Sequence, residues 1–183
     1  MSKIYVDEIA PKTTGSKVIM PQGGIIQTQY TQFTGTNTVS GSAGADLVVS
    51  DLTVNITPIS TSSIIRIDAM VNGEWSNQLA AYQSVWFFFR DSTKLSHPTA
   101  GSRPTGIIMG TGITYDQSNA DSTPEHVTYS YFDSPSSTSQ ITYKVGFEQV
   151  TGYTWYLNRT VTDSDSGSYE RGTSFISVTE IAG

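Results

Sequence analysis

The sequence of 183 residues contains no cysteine. Disulfide frameworks, thiolate zinc sites and thiol nucleophiles are therefore excluded from its chemistry. Charge is scarce as well: Asp, Glu, Lys and Arg make up 14% of the chain, against about 25% in ordinary soluble domains. The ten Lys and Arg residues form no run, and the net charge is −6. Nucleic-acid backbones and anionic membranes are contacted through clustered basic side chains, so neither is an expected partner. Long apolar runs are missing too. The longest, Val85 to Phe89, has the length of a strand, far short of the ~20 residues that span a bilayer. The opening residues Met1 to Glu8 lack the apolar core of a secretory signal, which makes synthesis in a cytosol the expectation.

With so few charges, the surface has to be covered by Ser, Thr, Asn, Gln and Gly. Ser, Thr and Asn compete with helical backbone hydrogen bonds, whereas Thr, Tyr and Val fit a pleated sheet. The pattern along the chain agrees. Over Asp46 to Thr57, Leu52, Val54 and Ile56 alternate with Thr53, Asn55 and Thr57, the period of a half-buried strand. Ile65, Ile67, Ala69 and Val71 repeat the pattern opposite Arg66 and Asp68, as do Ile141, Tyr143, Val145 and Phe147 opposite Thr142, Lys144 and Glu148. Further strands are predicted over 25–33, 85–89, 106–115, 126–133, 153–159 and 173–181, with the longest loops at 72–82, 92–104 and 116–125. No segment carries helical periodicity. Short strands at this spacing, parted by Gly, Ser, Pro and Asp, predict an all-β fold of the β-sandwich or jelly-roll type.

Residues 1–24 read differently from 25–183. Ile4, Tyr5, Val6 and Ile9 suggest one short extended piece and Val18 and Ile19 a second, before Gly23 and Gly24 mark a boundary. Two such pieces cannot bury their side chains alone, so an anchor that docks on the main domain or on other copies is expected. The aromatic run Trp86, Phe87, Phe88 and Phe89 makes a related point: a strand with one inward face can place only alternate rings in one core. The rest imply a second covered face, in the domain or at a subunit contact, and the surplus favours the contact between subunits.

Candidate chemistry is thin. His97 and His126 lie near no Gly-x-Ser-x-Gly elbow, and surface or turn roles suit both. Glu74 beside Trp75 is the best single carboxylate for glycan cleavage, with Asp116 as a candidate second acid. The stretch Asp163 to Glu170 resembles a calcium loop superficially, but it lacks a third oxygen ligand and places its Glu too early, so a polar turn is expected. Asn55 and Asn158 head glycosylation sequons that occur by chance. Trp75, Tyr82 and Tyr115 are candidate ligand or interface aromatics, able to stack on sugar rings if exposed. Catalytic groups, cofactors and metals are expected to be absent.

Several short segments, in this order, carry a resemblance. They are Lys3 to Lys12 with Val18-Ile19-Met20-Pro21, Ile56-Thr57-Pro58 with Ser60 to Ser63, and Phe88-Phe89-Arg90-Asp91-Ser92. Phe132-Asp133-Ser134-Pro135, Asn158-Arg159-Thr160 with Arg171-Gly172-Thr173-Ser174, and Thr179-Glu180-Ile181 complete the set. Together they resemble the small fibre and appendage proteins of tailed bacteriophages. The resemblance implies a homotrimeric β-sandwich tip on an extended N-terminal anchor, carried on the virion as a tail, neck, collar or head fibre. It implies as partners other copies of the chain, other virion proteins and, for host attachment, a surface glycan or protein. A carbohydrate-binding, lectin-like module is the alternative from a different class.

Overall fold

A computed structural model describes residues 21–77, 79–113 and 122–183. Its elements in chain order are β1 (Ile25–Phe33), β2 (Asn37–Val39), β3 (Leu47–Ile56), β4 (Ile64–Trp75), α1 (Leu79–Tyr82), β5 (Ser84–Arg90) and β6 (Thr93–Leu95). They continue with β7 (Ile108–Met109), β8 (Gly112–Ile113), β9 (Glu125–Asp133), β10 (Ile141–Gln149), β11 (Trp155–Leu157) and β12 (Ser174–Ile181). All pairings among these strands are antiparallel. One sheet runs β1-β12-β4-β11-β2, with β9 paired to β4 and β8 to β9; the other runs β3-β10-β5-β6, with β7 on β5. The fold is nearly all β, with sheets that curl in a sandwich-like arrangement.

Alternation decides which side chains meet. Leu52, Val54 and Ile56 from β3, Ile65, Ile67 and Val71 from β4, and Tyr143, Val145 and Phe147 from β10 all enter one core. At about 1.5–3 kcal/mol per fully buried large apolar side chain, this face is the main stabilising term. At one end the core is aromatic: Trp75 lies 5.1 Å from both Phe147 and Trp155, and Trp86 lies 5.0 Å from Phe147. Farther along, Phe88 stacks on Tyr129 at 4.5 Å, and the Tyr129 hydroxyl donates across the sheets to the Phe87 carbonyl at 2.9 Å.

The double-faced strand β5 finds its second cover within the same chain. Phe87 and Phe89 cluster with Val85 on its outer side, packed against Val48 and Ile107. Lys94 lies over the Phe87 ring at 4.1 Å. These aromatics therefore need no second subunit, which corrects the inference that their excess points to an oligomer contact. Gly146 makes the arrangement fit, since a Cβ there would stand 2.6 Å from both the Phe87 and Phe89 rings. Other local differences are small. Over its described part, 106–113, the strand expected at 106–115 is two short pieces, β7 and β8, broken at Gly110 (φ +72°). The loop expected from residue 72 starts later, because β4 continues to Trp75, and one helical turn, α1, follows it.

Two buried polar joints tie the strands together. Arg90 Nη1 contacts both oxygens of Asp133 at 2.9 and 3.1 Å, and the Tyr143 hydroxyl donates to Asp133 Oδ2 at 2.7 Å, linking β5 and β10 to β9 in the opposite sheet. Burial and this carboxylate push the Tyr143 hydroxyl well above its ordinary pKa. Glu180, fully buried, accepts from Ile59 N–H at 2.7 Å, Ser63 Oγ at 2.6 Å and Gln27 Nε2 at 2.6 Å. It thereby pins the β3–β4 turn to β1 and β12.

Candidate binding surface at the loop end

The strand register gives the domain two distinct ends. At one, Gly23 N–H donates to the Ala182 carbonyl at 2.7 Å and Ala182 N–H to the Gly24 carbonyl at 2.9 Å. The chain thus enters β1 beside its C-terminus, and the β3–β4 and β9–β10 turns lie at this same end. The opposite end collects the segment before β3, α1, the stretch around β7 and β8, and the turns at 150–154 and 158–173. The 12 residues of β4 separate the two ends by about 36 Å at the usual strand rise.

Apolar side chains are exposed at the loop end. Leu79, Tyr82, Met109 and Val150 come from three segments, and Met109 is 86% exposed. Backbone bonds knit these segments together: Thr111 N–H to the Ala81 carbonyl at 2.9 Å, Gly110 N–H to that of Ser84 at 2.7 Å, and Val150 N–H to that of Gln83 at 3.2 Å. Beside them, a cleft of about 320 Å³ is lined by His97, Ala100, Arg103, Pro104, Ile107 and Met109, among others.

A second, smaller cavity of about 190 Å³ at this end is lined by Asn72, Glu125, Asn158, Arg159, Glu170 and Arg171, among others. Register places Glu125 opposite Gly73, so two carboxyls far apart in sequence become neighbours. Glu74 Oε1 accepts from the Thr123 backbone N–H and hydroxyl, and its Oε2 accepts from Val161 N–H at 2.6 Å. Glu125 Oε2 accepts from Trp75 N–H at 2.8 Å, whereas its Oε1 is buried without a hydrogen-bond partner among the described residues. Burial raises the Glu125 pKa from 4.5 to about 8; the Trp75 N–H opposes the shift, and the nearby Glu74 carboxylate adds to it. The free oxygen of the pair therefore belongs to a neutral acid at pH 7. Sequence reading picked out Glu74 but missed Glu125, because only the β4–β9 pairing reveals their proximity.

The predicted residues divide clearly. Ile4, Tyr5, Val6, Ile9, Val18, Ile19, Tyr115 and Asp116 lie outside the described residues. Trp75 is core: 1% exposed, it sits among Trp86, Phe147 and Trp155 and donates its indole N–H to Thr111 Oγ1 at 3.0 Å. It offers no face to a ligand, because β4 carries it under the loop end. Tyr82, at 66% exposure, is a surface ring. His97 follows β6 of one sheet and His126 stands on β9 of the other; His97 Nδ1 contacts the Pro98 carbonyl at 2.6 Å. Asp163 is engaged by Arg171 at 2.6 Å, and no cluster suited to a metal occurs among the described residues. Asn158 is buried and tied to Phe33, Gly35 and Ser174.

No protein-family model matches the chain, and no curated protein matches it either.

Proposed function

We propose that this chain is a structural protein of a tailed-bacteriophage virion, a fibre or fibre-like appendage made in the host cytoplasm. Residues 1–24 dock it to other virion proteins and to its own copies, and a trimeric β-sandwich is displayed for host attachment. The observation that supports this reading best is the separation of the two ends. The N-terminal segment joins the domain at one end, and the long loops with four exposed apolar side chains occupy the other. A docked appendage requires that arrangement. The outer face of the larger sheet adds to it. Tyr30, at 71% exposure, and Phe132, at 60%, stand on adjacent rows of that face, where neighbouring copies would cover them.

Light scattering on the purified full chain, and on a chain lacking residues 1–22, tests the reading. A trimer that weakens on truncation, with unchanged far-ultraviolet dichroism, is the expected result. A stable monomer in both forms would overturn it. That outcome favours a lectin-like module, which the exposed Tyr82 ring at the loop end would suit.

A further inference from the structure

We propose that the cleft between the 97–107 segment and Met109 binds an acidic sugar unit of a surface polysaccharide, with Arg103 taking its anionic group. The proposal deepens the attachment reading above and rests on the loop end facing outward.

Among the described residues, Arg66, Arg90, Lys94 and Arg171 are paired with carboxylates, as a chain of net charge −6 readily allows. Arg103, like Lys144 and Arg159, has no such partner among them; among the described residues its guanidinium makes one long contact, 3.4 Å from Nη1 to the Ala100 carbonyl. A guanidinium beside a cleft with no carboxylate partner among the described residues offers a planar fork that takes a carboxylate or phosphate through two bonds. The lining of the cleft is mixed. Pro104, Ile107 and Met109 supply an apolar wall, while Thr105 and His97 add polar groups, the composition of a small-molecule site. His97 spends Nδ1 on the Pro98 carbonyl, leaving Nε2 for a ligand hydroxyl. A sugar acid uses all three features: its anion meets Arg103, its C–H face the apolar wall, and its hydroxyls the polar rim. An acidic peptide side chain would use only the first.

The cleft is also preformed. Ile107 N–H donates to the Trp86 carbonyl at 2.8 Å. At Gly106 a Cβ would stand 2.7 Å from Val85 Cβ and 2.8 Å from the Trp86 carbonyl, so glycine lets the segment lie directly on β5. Little ordering is left to oppose binding.

Saturation-transfer NMR on the full chain tests the proposal, with glucuronic acid, glucose 6-phosphate, glucose and a tetraglutamate peptide as probes. Saturable binding of one or both acidic sugars is expected, weakened about tenfold in Arg103→Gln, as befits loss of one charge-assisted contact. Glucose and the peptide should be silent. The stronger of the two acids tells a carboxylated from a phosphorylated polysaccharide. Arg103 is exposed, so the variant should keep the wild-type melting curve, and a binding loss then reports on the cleft. Failure of both acids, equal binding of glucose or peptide, or an unaffected Arg103→Gln would each overturn the proposal. None of these outcomes touches the trimer measurement, on which the appendage reading stands or falls separately.

Discussion

Replacing Glu125 by Gln should change how stability depends on pH. In the folded chain this carboxyl is neutral up to about pH 8, whereas in the unfolded chain it ionises from its ordinary 4.5. A pKa raised by folding contributes stability that is fully present below the unfolded value and is lost as pH rises toward the folded one. At 1.36 kcal/mol per unit, the loss between about pH 5 and about pH 8.5 comes to roughly 4 kcal/mol. A glutamine side chain at this position would keep the shape and remain neutral. Its carbonyl can accept from Trp75 N–H, and its amide takes the place of the unpartnered Oε1. Urea unfolding of both proteins across that range should therefore show Glu125→Gln gaining on wild type by about 4 kcal/mol as pH rises, with the two nearly level at the acid end. Titrating groups other than the neighbouring Glu74 cancel in the difference. If the two stability curves stay parallel, Glu125 is charged in the fold and the reasoning fails.

Three further outcomes are expected. Asp133→Asn removes the charge facing Arg90 and disturbs the Tyr143 contact; a loss of about 3 kcal/mol in denaturant unfolding is expected for a broken, largely buried pair. Gly146→Ala drives a methyl into Phe87 and Phe89 and should cost about 1–3 kcal/mol, visible as a lower melting temperature. The double change Tyr82→Ala with Met109→Ser removes exposed side chains only. It should leave unfolding within about 0.5 kcal/mol of wild type, and a larger loss would mean that the loop end is packed rather than displayed.

The resembling segments acquire a physical meaning in three dimensions. Arg90 from one meets Asp133 from another; Ser63 and Glu180 meet at the entry end; Asn158 takes the Ser174 hydroxyl, and Arg159 forms a backbone bridge with Arg171. The first two are polar joints between elements distant along the chain, and the last two close the 158–173 turn on itself.

Composition and period-two alternation determined the all-β class and most inward faces, because a strand's side-chain direction is a local property that the residues themselves encode. β1, β3, β9, β10 and β12 start and end within about two residues of expectation for that reason. What alternation cannot carry is which strands adjoin. Register alone put Glu125 beside Glu74, folded the 93–107 segment over Phe87, and buried Trp75 while leaving Tyr82 in solvent. These follow from how the strands pair and the sheets stack, which no local pattern encodes, so only the tertiary structure decided them.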